Sequence, residues 1–213
     1  MTVTWIDDQR FESFINNLDS DTAHGIEHIR RVVINARRIA NAEGANLDVV
    51  IPAAWLHDCV VVPKNSPDRS RASTLAADRA IEYLRENNFP AEHFSAIHHA
   101  IAAHSFSAGI PCETLEARVV QDADRLDALG AIGLARCLAV GGQLSLNLYA
   151  SVDPFCKERE PDDRSFVVDH FFQKLLTLPA TMKTRSGETE AEQRVKYLSG
   201  FLEQLASEIG HDF

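Results

Sequence analysis

The sequence of 213 residues contains no apolar run approaching the roughly 18 residues of a membrane span, so we expect no membrane partner. It begins with acids and Trp5 instead of a basic region followed by an apolar stretch, which argues against a secretory signal. The four cysteines form no CxxC pair, a pattern typical of reduced thiols in a cytoplasmic protein. The formal net charge of −10 disfavours a nucleic acid polymer as partner but permits a small anionic substrate.

With 45% hydrophobic and 24% charged residues, the chain fits one globular domain spanning 1–213. Apolar residues recur at helical spacing along most of it, and few segments alternate with the period of two that strands show. The sequence therefore predicts an all-α, single-domain fold. We expect its motif core at about 20–140, with C-terminal helices at about 165–209 packing on it.

Two regions depart from a simple helical pattern, and a further helix follows them. A helix from about 114 ends near 128 or continues past Gly130 and Gly133 to about Val140, since glycines there indicate close packing or a break. The stretch 141–164 is the longest irregular segment, which we interpret as an excursion or a lid. The next helix is expected over about 165–177.

The pair His57-Asp58 lies inside the apolar segment AAWLHDCVV. A charge buried without a partner is costly, and a divalent cation satisfies an imidazole and a carboxylate at once. His28, in HIRRV, and Asp124, in DADRLDALG, each border the apolar face of their own helix. These two histidines and two carboxylates suffice to hold one Mn, Mg, Fe, Ni or Zn ion with positions left for water.

The order of the motifs HIRRV, WLHD and DADRLDALG resembles the HD-domain metal-dependent phosphohydrolase superfamily. The segments KNSPDRSRAS, AIAAHSFSAGI and DHFFQKLLTLP are similar to its YedJ-like single-domain branch. The resemblance implies a helical HD-domain fold and hydrolysis of a small phosphate ester or nucleotide by metal-activated water. Cleavage of a nucleoside triphosphate to monophosphate and pyrophosphate is one candidate reaction.

The resemblance also implies that His28, His57, Asp58 and Asp124 bind the metal. Asp122 is the alternative to Asp124, and only one of the two is expected to contact the ion, because residues two apart point to different sides of a helix. Asp124 is preferred because related families place this ligand just before a basic residue, and Arg125 follows it here.

Other residues are candidates for catalysis. Asp58 or a nearby histidine is expected to accept the proton of the attacking water. His104 is expected to contact substrate or to shuttle a proton. A second metal is less favoured, because His99 and His104 lie about 140° apart around a helix, unless that helix ends near His104. Asp127 is a candidate for holding a histidine or an arginine in place.

A phosphate substrate also requires basic groups. The loop after the His57-Asp58 pair supplies three cations and a predicted helix N-terminus, a combination that suits phosphate oxygens. Two further cations are weaker candidates. The predicted substrate-binding residues are Lys64, Arg69, Arg71, Arg125 and Lys174.

Three other functions compete with this interpretation. The first is a nucleotide-binding or sensing module that keeps the metal but has no turnover. The second is a metallopeptidase, since His24-Gly25-Ile26-Glu27-His28 matches the H-x-x-E-H pattern of inverted zinc peptidases. That match is short and leaves WLHD and DADRLD unexplained. The third is a purely structural helical protein without a metal.

Overall fold

The computed structural model describes residues 5–18, 25–63, 66, 68–105 and 108–213. These residues form α-helices, short 3-10 turns and one isolated bridge between Asn147 and Phe166, so the all-α prediction is confirmed. The chain divides into two compact units, residues 1–124 and 125–213. The helices are α1 (Asp8–Asn16), α2 (Ile26–Glu43), α3 (Leu47–Leu56), α4 (Ala72–Glu86), α5 (Phe94–His104), α6 (Leu115–Leu126), α7 (Gly130–Gln143), α8 (Asp169–Gln173) and α9 (Arg185–Ile209).

Helix α3 forms the centre of the first unit. Its residues 49 to 56 are all buried, and it packs against α1, α2, α4 and α5. The side chain of Asn46 caps its first turn by accepting a hydrogen bond from the amide of Asp48 at 2.9 Å. Pro52 is tolerated inside the helix because it lies near the start, where few amides have helical partners. An apolar helix surrounded in this way delivers the residues at its C-terminus, His57 and Asp58, into the interior.

Gly130 lies where the helix breaks between α6 and α7. Its φ of +68° lies in the left-handed region that glycine adopts without strain, so the chain turns there and a new helix begins. Three residues later a Cβ on Gly133 would lie 2.1 Å from the carbonyl oxygen of Ala128, so this position also requires glycine. Of the two expectations for this region, the break is therefore the one observed.

The helix predicted over about 165–177 is wrong in most of its length. Helix α8 covers only Asp169–Gln173, and two 3-10 turns follow, Leu175–Thr177 and Pro179–Thr181. Lys174 leaves helical geometry with φ −140° and ψ −58°. Pro179, which has no amide hydrogen, further disfavours a continuous helix. The longer helix α9 then packs against α7 and the second of these turns.

The predicted irregular segment is held in place at its C-terminal end. The Arg159 guanidinium donates two hydrogen bonds, of 2.5 and 2.7 Å, to the buried Asp169 carboxylate. The amide of Asp162 donates to the same carboxylate at 2.7 Å. Among the helices that the structure describes, none has the length and apolar composition that crossing a membrane requires.

Candidate metal centre

Four helix ends of the first unit bring their side chains together. His28 lies in the first turn of α2, His57 and Asp58 follow α3, and His104 is the last residue of α5. Asp124 projects from α6. The three imidazoles are nearly inaccessible, with exposed fractions of 6% for His28, 0% for His57 and 6% for His104.

The distances between these side chains define a compact cluster. Nε2 of His28 lies 3.4 Å from Oδ1 of Asp124, and Nε2 of His57 lies 3.5 Å from Oδ2 of Asp58 and 4.0 Å from Oδ1 of Asp124. Nε2 of His104 lies 3.5 Å from Oδ1 of Asp58. One ligand atom from each of His28, His57 and Asp58 falls within 4.8 Å of the other two, a spacing suited to a shared ion.

The backbone fixes the tautomers of two imidazoles. Nδ1 of His57 bonds to the carbonyl oxygen of Ala54 at 2.8 Å, and Nδ1 of His104 bonds to that of Ile101 at 2.6 Å. A carbonyl oxygen can only accept, so in both rings Nδ1 carries the hydrogen and donates it. In the neutral imidazole the Nε2 lone pair therefore points away from the backbone, which is the arrangement found in metal-ligating histidines.

These lone pairs face carboxylates, and two acceptors cannot satisfy each other without a cation or a proton between them. Nε2 of His57 is fully buried and has no hydrogen-bond partner among the residues that the structure describes. An unsatisfied buried polar atom is costly and rare in folded proteins. The imidazole and carboxylate donors present here fit a divalent metal ion.

The protonation of the cluster follows from its burial and its charges. Burial lowers the pKa of His57, outweighing the attraction of Asp58. Burial also opposes protonation of His104, but the hydrogen bond and charge of Asp58 outweigh it and raise the pKa of that imidazole. Burial opposes ionisation of Asp124, yet its bond to His28 and the nearby imidazoles hold its pKa below the ordinary range.

A small cavity of about 60 Å³ opens beside the cluster and is lined by Asp58, His104 and Arg69, among others. The Arg69 guanidinium is anchored there, donating to the carbonyl oxygen of Val62 at 3.0 Å. Of the two predicted loop cations that the structure describes, Arg69 is the one that lines this cavity. Arg71 is exposed and pairs with Asp68 at 3.2 Å, and Lys64 lies outside the described residues.

The two carboxylates of α6 have different surroundings. Asp124 contacts His28, and its side chain is 31% exposed, whereas Asp122 has no exposed surface. The geometry puts Asp124 beside the imidazole of His28, and the choice of Asp124 over Asp122 as the ligand stays a prediction. His104, expected at the substrate, lies against His57, with ring centroids 4.9 Å apart.

The remaining candidates belong to the second unit. Oδ2 of the buried Asp127 pairs with Nη1 of Arg136 at 2.6 Å, so it holds an arginine in place. Arg125 donates to the carbonyl oxygen of Thr181 at 2.6 Å. Lys174 lines a pocket of about 350 Å³ within this unit. The roles of these three residues stay predictions.

Sequence reasoning missed two buried amides beside the cluster. Asn35 bonds to the carbonyl oxygen of Ala123, and Gln121 bonds to that of Ala103. Both amides lie on the apolar faces of their helices, at positions where hydrophobic residues are common. A polar residue in an apolar register is the signal by which the sequence points to them.

The HD domain family model matches residues 25–129. The uncharacterized protein YpgQ of Bacillus subtilis is 32% identical over 196 residues, which cover 90% of this chain and 87% of that protein. The crystal structure of an HD-superfamily hydrolase from Bacillus thuringiensis is 30% identical, with a TM-score of 0.75 and coverage of 96% of this chain and 97% of that one. The structure of YpgQ in complex with ADP is also 30% identical, with a TM-score of 0.73 and coverage of 94% and 93%.

Proposed function

The chain belongs to the HD-domain family, and from that premise we propose that it is a metal-dependent phosphohydrolase acting on a small phosphate ester or nucleotide. The observation that carries the proposal is the fully buried Nε2 of His57, which has no hydrogen-bond partner among the described residues and faces Asp58 and Asp124. A nitrogen lone pair directed at two carboxylates requires a cation or a proton between them, and burial disfavours the proton because it lowers the pKa of His57. The proposal assigns the metal to His28, His57, Asp58 and Asp124.

A divalent ion in this position lowers the pKa of water and withdraws charge from a phosphoryl oxygen. The protein side chains supply the rest. Asp58 contacts the imidazoles of His57 and His104 and also reaches solvent, since its side chain is 26% exposed. His104 presents Nε2 to Oδ1 of Asp58 at 3.5 Å, so a proton taken up by the carboxylate has an imidazole next to it.

Arg69 supplies positive charge in the cavity that Asp58 and His104 line, and we assign it to a phosphate oxygen of the substrate. Lys64, Arg71, Arg125 and Lys174 stay in the proposal as further phosphate-binding candidates. The ADP complex of YpgQ supports a nucleotide as substrate, with release of pyrophosphate from a nucleoside triphosphate as the finer form of the reaction. The absence of a disulfide among the four cysteines, all of which the structure describes, agrees with a reducing compartment, the cytoplasm.

The same ADP complex also favours a second candidate, a nucleotide-binding module without turnover. That candidate predicts saturable, stoichiometric binding with no release of phosphate or pyrophosphate. The metallopeptidase alternative requires Glu27 to activate water, whereas in the structure Glu27 pairs with Arg30 at 2.6 Å; its His24 lies outside the described residues. Turnover separates the phosphohydrolase from the nucleotide-binding module.

The test is a panel of nucleotides and phosphate esters incubated with metal-free protein and with Mn²⁺, Mg²⁺, Ni²⁺ or Zn²⁺, with phosphate and pyrophosphate measured separately. We expect release only with metal. Asp58→Ala is expected to abolish both metal binding and turnover. Asp78→Ala, which removes an exposed carboxylate of α4, serves as the control and keeps both. Full activity in Asp58→Ala would refute the assigned site.

A further inference from the structure

The buried amide of Asn35 ties α2 to α6 beside the cluster. Its Nδ2 donates to the carbonyl oxygen of Ala123 at 3.3 Å, and the residue is only 5% exposed. Asn35 lies seven residues after His28, about two helical turns. Ala123 directly precedes Asp124. The bond therefore joins the two helices whose side chains meet in the 3.4 Å contact between His28 and Asp124.

The buried amide of Gln121 makes the corresponding link between α6 and α5. Its Nε2 donates to the carbonyl oxygen of Ala103 at 2.9 Å, and the residue is 4% exposed. Ala103 directly precedes His104. Gln121 precedes Asp124 by three residues, so both side chains lie on one side of α6. The helix that carries Asp124 is thus bonded both to the helix of His28 and to the helix of His104.

An apolar side chain of the same size would stabilise the fold about as well as Gln121 does. Its Oε1 is buried and has no hydrogen-bond partner among the described residues, which is unfavourable. The carbonyl of Ala103 also accepts a bond from the Cys112 thiol, with Sγ at 3.5 Å, so the amide is not needed to satisfy it. The amide of Gln121 adds a directional contact between α6 and α5, because a hydrogen bond fixes the register of two helices more narrowly than apolar contact does.

We propose that Asn35 and Gln121 are positioning residues for the metal centre, fixing Asp124 relative to His28 and His104 without touching the ion. The inference rests on the proposed function. Productive sites require their groups to be held within about 0.5 Å. Removing groups that orient metal ligands weakens metal binding by roughly 10- to 100-fold.

The experiment compares wild type with Gln121→Met and Asn35→Leu, which keep the side-chain size but remove the amides. Tyr83→Phe is the control, since it removes a different hydrogen bond of the same unit, from Tyr83 to the carbonyl of Arg10 at 3.2 Å. Titration calorimetry with Mn²⁺ alone gives the metal affinity, and the thermal midpoint of metal-free protein gives stability. We expect Gln121→Met to stay within about 2 °C of wild type. Its Mn²⁺ affinity is expected to fall about 10-fold, whereas Tyr83→Phe keeps its affinity.

Wild-type affinity in both amide variants would overturn the inference. So would an affinity that falls only in step with the metal-free midpoint, because that result indicates a general structural role. Should Gln121→Met fail to fold, Asn35→Leu carries the same test. Absence of Mn²⁺ binding by wild type itself is a separate result, which refutes the proposed function.

Discussion

His57→Leu is expected to separate metal binding from folding. In metal-free protein the imidazole has one good hydrogen bond, to Ala54, worth about 1 kcal/mol, and one buried unsatisfied nitrogen, which costs about 1–3 kcal/mol. Leucine loses the bond and removes the unsatisfied atom, and the buried residues 49 to 56 that precede it in α3 are apolar. The free energy of unfolding without metal is therefore expected to stay the same or to rise by about 1 kcal/mol.

The metal response is expected to change far more. At a Mn²⁺ concentration of 100 Kd, binding stabilises the folded wild type by about 2.7 kcal/mol. For a protein of this size that raises the thermal midpoint by roughly 5–10 °C. His57→Leu is expected to show no such rise, because the proposed ligand that lies near both Asp58 and Asp124 is gone. If the two compact units unfold separately, only the transition of residues 1–124 is expected to move.

Differential scanning calorimetry with and without Mn²⁺ makes both measurements on one sample. His98→Leu is the matched control, since His98 is an accessible imidazole of α5 that pairs with Asp78. This control is expected to keep the full metal-induced rise. An equal rise in His57→Leu would refute the assignment of His57 as a ligand. A large loss of metal-free stability in that variant would refute the argument from the unsatisfied nitrogen.

Three further predictions concern other parts of the molecule. Arg69→Ala is expected to reduce kcat/KM by about 10- to 100-fold, the value of a charge-assisted hydrogen bond, while Mn²⁺ affinity is unchanged. The control is Arg71→Ala, which removes an exposed arginine, and an equal loss there would contradict the assignment of Arg69 to a phosphate oxygen. Mn²⁺ uptake is expected to release more protons as the pH falls, because Asp58 raises the pKa of His104 and a cation bound to Asp58 opposes that protonation. Calorimetry in buffers of different ionisation enthalpy measures this release. Burial opposes ionisation of Asp169, but Arg159 and the Asp162 amide hold the pKa of Asp169 below the ordinary 3.8. The ionised carboxylate therefore stabilises the fold fully above pH 3.8, and this stabilisation is lost as the pH falls through the lowered pKa. Asp169→Ala is expected to cost about 3–5 kcal/mol at pH 7 and to remove this acid dependence from unfolding curves; an unchanged acid limb would show that other carboxylates determine it.

The sequence alone predicted the features that depend on local pattern. Helical periodicity and the scarcity of period-two alternation predicted the all-α fold. The His57-Asp58 pair is recognisable because an imidazole beside a carboxylate is out of place in an apolar segment. The helix predicted after the irregular segment was too long. The prediction relied on apolar spacing alone, whereas the backbone leaves helical geometry at Lys174.

Tertiary structure decided which groups meet. The sequence preferred Asp124 to Asp122 only through the basic residue that follows it, whereas the packing of α6 against its neighbours brings Asp124 within 3.4 Å of His28. The spacing within α5 argued against joint coordination by its histidines, yet the end of that helix abuts the end of α3, so His104 lies against His57. Local periodicity fixes which face of a helix is apolar, whereas the register between helices depends on packing and buried bonds between residues far apart in the chain. These long-range contacts cannot be calculated from one helix at a time.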